Sequence, residues 1–270
     1  MQGSSHKRVF IRTDANYDVA SGHVMRCLAV ADALRETDAK VVFVTSDDGP
    51  RQTIESRGFE DISLGSDWRD IVDGLDALRG ECEREGDRPT VLVDTYSVTR
   101  EYVDSVSEFA DVCYLGSKGG DLGNLSLIVN YSTKIDADHY RGTYGPRGTR
   151  LLLGAGYAPL RRRFSEMYVE RHGAVERVLL TTGNTDPQGF VPAFLRAALR
   201  EPALSEVSFD VVVGGMFMDG DVLDSIGADC LNVRLHRGVR DMALLMAGCD
   251  AAVSASGTTV YELSAVGLPS

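Results

Sequence analysis

The 270-residue chain is 43% hydrophobic and 25% charged, with 28 Gly against 8 Pro, a composition of folded units joined by tight turns that excludes a fibrous or disordered protein. With 28 Lys and Arg against 40 Asp and Glu the net charge is −12, so the overall field repels nucleic acid and anionic membranes, and a phosphate ligand must be held by local helix N-termini and buried donors. The five cysteines (Cys27, Cys82, Cys113, Cys230, Cys249) form no CxxC pair, Met1–Lys7 is polar and not signal-like, and no apolar run is long enough to cross a bilayer; the expectation is a cytoplasmic protein with reduced thiols, no metal site and no cofactor.

In chain order, short Val- and Ile-rich runs at Val9–Ile11, Val41–Val44, Val91–Val93, Val112–Leu115 and Leu125–Val129 alternate with helical patterns at Val24–Leu34 and Ile71–Leu78. That alternation predicts a parallel sheet wound with helices, a first α/β unit over residues 1–155. The charged stretch from Tyr157 to Gly173 reads as a surface helix and linker, placed at 156–174. Alternation then restarts. Strands are expected at Val178–Thr182, Phe209–Val213, Leu231–Leu235 and Ala251–Ser254, and helices at Val191–Leu199, Val239–Met246 and Thr258–Val266. This makes a second doubly wound unit over 175–270. Its closing Gly267-Leu268-Pro269-Ser270 is a helix-stop signal, from which a C-terminally truncated unit is expected.

Three segments combine polar residues with the place where open α/β sheets bind ligands, the turn after a strand. The first runs from Arg12, Asp14 and Asn16 to Gly22, His23 and Arg26. His23 at a helix start suits a general base, and Asp14 suits either orienting that imidazole or holding a sugar hydroxyl. Turn residues followed by a capped surface histidine would leave the same pattern. The second is Thr182-Gly183-Asn184-Thr185-Asp186, a backbone cradle for a diphosphate or an ordinary βα turn with Asp186 capping a helix. The third, Ser254-Ala255-Ser256-Gly257-Thr258-Thr259-Val260-Tyr261-Glu262, offers hydroxyls and free amides for pyrophosphate and an acid for a ribose diol, against plain helix-start chemistry.

Taken together, Arg12–Leu28 (RTDANYDVASGHVMRCL), Asp94-Thr95-Tyr96, Val129-Asn130-Tyr131, Gly154–Leu160 (GAGYAPL) and Ser254–Glu262 resemble the UDP-2,4-diacetamido-2,4,6-trideoxy-β-L-altropyranose hydrolases of pseudaminic acid biosynthesis, which are similar in fold to MurG-type glycosyltransferases. The resemblance runs along nearly the whole chain. It implies a GT-B-like α/β fold of two Rossmann-like parallel-sheet domains with the active site between them, and hydrolysis of a UDP-sugar at the anomeric carbon with inversion. His23 is then the base, with Asp14 and Tyr96 in the catalytic pocket and Arg12, Asn16, Gly22, Arg26 and Asn130 on the sugar side. Gly183, Asn184, Asp186, Ser254, Ser256, Gly257, Thr258, Thr259 and Glu262 fall to UDP. The chain departs from the family pattern at Ala20, at Gly116-Ser117 in place of an acidic pair, and at Thr182-Gly183-Asn184 in place of a Gly-Gly turn. Alternatives are a GT-B glycosyltransferase with the same donor and a non-catalytic nucleotide-sugar-binding protein. The expected partner is the small-molecule UDP-sugar alone, on a monomer, with no nucleic acid and no membrane.

Overall fold

Short runs rich in Val, Ile, Leu and Phe, apolar on both faces, are stable only as interior strands covered by helices on each side. The computed structural model, which describes residues 7–16, 21–84, 87–218 and 220–270, divides into two compact units, 1–159 and 160–270. In the first unit the chain forms β1 (Arg8–Thr13), α1 (Gly22–Arg35), β2 (Lys40–Thr45), α2 (Arg51–Glu55), β3 (Glu60–Ser63) and α3 (Leu75–Glu83). It continues through β4 (Thr90–Asp94), α4 (Arg100–Val106), β5 (Asp111–Leu115), β6 (Leu127–Asn130), α5 (Ala137–Tyr144) and β7 (Arg150–Leu153). All seven strands are parallel, in the order β3-β2-β1-β4-β5-β6-β7.

Successive residues of β1 serve opposite layers. Phe10 packs with Leu78, Tyr102, Val103 and Val106, whereas Val9 and Ile11 join Val24, Cys27, Leu28 and Ala31 of α1. Each fully buried large side chain contributes roughly 1.5–3 kcal/mol by leaving water. Phe43, fully buried on β2, is a sensitive point, because Phe→Ala in a packed core costs about 3–5 kcal/mol. The strand order reverses direction between β1 and β4, which opens a crevice at their carboxyl ends.

The second unit comprises α6 (Arg162–Ser165), β8 (Arg177–Thr181), α7 (Phe190–Ala198), β9 (Ser208–Val213), α8 (Gly220–Asp229), β10 (Val233–Arg237), α9 (Met242–Ala247), β11 (Ala251–Ser254) and α10 (Thr258–Val266). Its four parallel strands run in the order β10-β9-β8-β11, with the reversal between β8 and β11. Gly267 ends α10 at φ +74°, and a Cβ there would stand 2.8 Å from the Val169 carbonyl, so both backbone hand and space require glycine.

Several elements differ from the sequence reading. Strands β3 and β7, both half-exposed edges, are not among the expected strands, although β7 carries the apolar run Leu151–Leu153. The helix expected from Ile71 begins only at Leu75, since Gly74 sits at φ +97° and the preceding residues form turns. The strand expected from Leu231 starts at Val233, Leu231 being fully exposed. The stretch 157–173 holds a short, largely exposed helix, Arg162–Ser165, but it is tied to the second unit at two points. Phe164 lies in the core beside Leu179, Met246 and Leu263, and Arg171 donates to the carbonyls of Cys249, Met246 and Val266. A charged segment can pack in this way when its apolar residue points inward and its guanidinium meets backbone acceptors.

Candidate functional site

The first candidate lies at the reversal point of the first unit. Asp94 is the last residue of β4 and the register partner of Thr13 in β1, and α1 starts at Gly22 on the same crevice. His23 is buried, with Nδ1 2.6 Å from Asp94 Oδ1 and its ring edge-on to Tyr96 at 4.4 Å. Its Nε2 is buried and, among the described residues, has no hydrogen-bond partner. One turn further along α1, Arg26 donates through Nε to Asp94 Oδ2 at 2.6 Å, through Nη2 to Asp94 Oδ1, and through Nη1 to the Tyr131 hydroxyl at 3.0 Å. Cys27 Sγ adds a contact to Oδ2 at 3.3 Å.

Four donors thus converge on one fully buried carboxylate. Burial alone pushes the Asp94 carboxyl up, but the hydrogen bonds and charges of His23 and Arg26 outweigh it and hold it below its usual range. Burial opposes the charge of Arg26 too, yet Asp94 holds its guanidinium above its ordinary value. The Cys27 thiol is pushed well up by burial and by the negative charge of Asp94, so it stays protonated. Tyr96, two-thirds exposed, stands over the histidine from a loop that Lys118 anchors by donating to the carbonyls of Val98 and Tyr96 at 2.5 and 3.4 Å.

Other residues proposed for the sugar side are held by the fold. Arg12 is fully buried, its Nη1 on Asp14 Oδ1 at 2.7 Å and its Nη2 on Ser46 Oγ at 2.6 Å, so a role in contacting substrate is corrected to a structural one. Asn130 donates to the Tyr140 hydroxyl and accepts from the Ser132 amide, which likewise occupies both ends of its amide group. Asp14 does not orient the imidazole; Asp94 holds that place. Asp14 Oδ1 accepts from Arg12 and from the Ser46 amide, while its buried Oδ2 has no partner. Asn16 is half-buried at the edge of the described loop, Gly22 meets no neighbour that demands glycine, and Ala20 lies outside the described residues.

In the second unit the turn after β8 is occupied by its own fold. Gly183 takes φ +93°, and Asn184 accepts from the Gly215 amide through its side chain and from the Met216 amide through its carbonyl. Asp186 is buried and accepts from the amides of Phe190 and Val191, the helix-start alternative. Asp186, buried, is therefore corrected from a ligand contact to a helix cap, while half-buried Asn184 takes part in the turn.

The turn after β11 is more open. Ser254 Oγ donates to the Ala255 carbonyl, Ser256 is exposed, and Gly257 adopts φ +151°, ψ −155°, a region nearly confined to glycine. No side chain caps α10 and no acid lies in its first turn, so its N-terminus at Thr258 and Thr259 can meet an anion. Glu262 is half-buried one turn in, where Arg161 Nη2 donates to it at 3.3 Å. Burial pushes its carboxyl above the usual value, with Arg161 opposing.

Two charged residues of these sites, Asp94 and Arg161, are given no role by sequence reasoning. Asp94 is the acid that follows directly on a buried apolar run at a strand's carboxyl end, a signal open to reading; Arg161, inside a charged stretch, carries none. Among the described residues no group of three or more His, Cys, Asp and Glu could hold a metal ion, and no helix is long and apolar enough to cross a membrane.

Two Rossmann-like parallel sheets, each with polar residues gathered where its strand order reverses, define an α/β chain of the GT-B type. Comparisons agree with that class. No family model matches the chain. An uncharacterized protein of Methanocaldococcus jannaschii is 21% identical over 274 residues, covering 97% of this chain and 54% of that protein. The spore coat polysaccharide biosynthesis protein SpsG of Bacillus subtilis is 22% identical over 267 residues, covering 97% of this chain and 75% of that protein. The chain therefore spans about half the length of the first relative and three quarters of the second.

Among solved structures, a UDP-glucosyltransferase of Polygonum tinctorium is similar with a TM-score of 0.65 and 11% identity, over 98% of this chain and 79% of that one. A UDP-GlcNAc 2-epimerase of Methanocaldococcus jannaschii gives 0.59 and 12%, over 97% and 82%. MurG of Acinetobacter baumannii gives 0.57 and 14%, over 97% and 76%. At these identities the likeness establishes the fold.

Proposed function

We propose that the protein cleaves a UDP-linked sugar at its anomeric carbon, releasing UDP and the free sugar, with His23 as the general base. The observation that carries this reading is the buried imidazole at the β1/β4 reversal with an unpartnered Nε2. In the proposed reaction water attacks the anomeric carbon, the bond from that carbon to the diphosphate oxygen breaks, and the water proton passes to Nε2. Attack from the face opposite the leaving group inverts the configuration. UDP is a good leaving group, so anion stabilisation matters more than a strong general acid. We assign the pyrophosphate to the open N-terminus of α10, with Ser256, Thr258 and Thr259, and the ribose diol to Glu262. Support comes from the polysaccharide biosynthesis role in the name of the Bacillus relative and from structural neighbours named for UDP-sugar enzymes. The sugar proposed from the family resemblance is a 2,4-diacetamido-2,4,6-trideoxy hexose destined for a nonulosonic acid.

A transferase that passes the same sugar to an acceptor hydroxyl is the second reading, favoured by the glycosyltransferases among the structural neighbours. Incubating the full-length protein with UDP-sugars in ¹⁸O-water, with and without acceptor alcohols, separates the two. Hydrolysis at the anomeric carbon gives UDP without an acceptor and places the label in the sugar. Label in the UDP phosphate, or UDP release only when an acceptor is present, rejects the hydrolase.

A further inference from the structure

We propose that Asp94 is the positioning residue that sets the tautomer of His23, keeping the proton on Nδ1 so that Nε2 remains an acceptor; the inference rests on the reading of His23 as base. A neutral imidazole has one N–H and one bare nitrogen, and its neighbours select between the two arrangements. Asp94 Oδ1 stands 2.6 Å from Nδ1. An ionised carboxylate can only accept, so this contact requires the hydrogen on Nδ1. Asp94 is kept in that form despite complete burial, because His23 and Arg26 hold it below the usual carboxyl range.

Arg26 makes the selection conditional. Its Nη2 lies 2.8 Å from His23 Nδ1, close enough to donate to that nitrogen were it bare. The same Nη2 donates to Asp94 Oδ1, and while the carboxylate is charged the guanidinium hydrogens are drawn to oxygen. Neutralising the side chain as Asp94→Asn removes that pull. The new amide group and Arg26 then both offer hydrogens to Nδ1, and the imidazole moves its proton to Nε2. A donor would then face the place where the reaction needs an acceptor. The fold imposes the geometry: Asp94 sits opposite Thr13 at the strand ends, and His23 and Arg26 are three residues apart on one face of α1.

The test is ¹⁵N spectroscopy of the histidine rings in the full-length protein at alkaline pH, with the His23 signals assigned by their loss in His23→Gln. The expected wild-type signature is a pyrrole-like Nδ1 and a pyridine-like Nε2, interchanged in Asp94→Asn. In that variant UDP release should fall by on the order of 10³–10⁴-fold, the scale for loss of the correct tautomer, with UDP affinity within about twofold of wild type. A wild-type spectrum with the proton on Nε2 overturns the inference whether or not Asp94→Asn folds. So does a folded Asp94→Asn protein whose Nε2 stays pyridine-like. If the tautomer switches as expected but the wild type releases UDP from no UDP-sugar, the assignment of Asp94 stands and the proposed reaction falls.

Discussion

Each unit joins a histidine, a fully buried aspartate and an arginine, and the two sets differ in where on the sheet they stand. In the first, Asp94 ends β4 at the strand-order reversal, and His23 Nε2 is left without a partner. In the second, Asp210 is the third residue of β9 and lies between neighbouring strands. His236 Nε2 meets Asp210 Oδ1 at 2.6 Å, and Arg177 reaches Oδ2 through Nε and Nη2 at 3.0 and 2.8 Å. There the hydrogen bonds to Asp210 tie β8, β9 and β10 together. On the proposed reading the same three residue types serve chemistry at a strand's carboxyl end, where the strand-order reversal opens a crevice, while within the second sheet they join neighbouring strands.

The sharpest way to break this contrast is to truncate each histidine. His23→Ala in the full-length protein should lower UDP release by about 10²–10⁴-fold, the usual contribution of a positioned base, with UDP affinity unchanged by calorimetry. His236→Ala should leave turnover near wild type. Equal losses in both would show that position on the sheet does not separate the two clusters.

Removing the acids tests cohesion against binding. Asp210→Asn should destabilise the second unit by about 1.5–3 kcal/mol in urea unfolding, the range for hydrogen bonds to a charged group. Arg177 is partly exposed and can find water, which keeps the cost below that of a fully enclosed cation. Glu262→Ala should weaken UDP by a similar ~1.5–3 kcal/mol without unfolding the protein, as calorimetry would read. Unchanged UDP affinity would remove Glu262 from the ribose.

The smallest effects are those of pH. Because the Glu262 carboxyl is raised above its usual 4.5, it gains a proton, and loses its full capacity to accept from a diol, before an ordinary glutamate would. UDP affinity should therefore decline as pH falls towards and through that raised value, and Glu262→Gln should flatten the profile. Asp94 has the opposite sign. Its folded carboxyl lies below the usual 3.8, so its stabilisation is present above that value and is lost as pH falls further. Urea unfolding of wild type and Asp94→Asn should converge in acid.

Much of the architecture was legible. Ala251–Ser254 and Thr258–Val266 fall on β11 and α10 as read, since an apolar run followed by hydroxyls and glycine leaves little else for the backbone to do. Edges were less legible: Glu60–Ser63 holds one aliphatic residue and is a strand only because β2 offers it a partner. At the candidate sites the sequence drew attention to His23 and Glu262, while Arg12 and Asp186, expected at the ligand, are buried and hydrogen-bonded within the fold.

From the sequence alone came two wound parallel sheets and the turns that carry polar residues, because hydrophobic period and punctuation are local properties. Which side chains meet was decided only by tertiary structure. His23 and Asp94 are 71 residues apart, and no spacing reveals that β4 docks beside β1 with Asp94 level with Thr13. That register arises from packing on both faces of the sheet, and the hydrogen bond between the two residues follows from it.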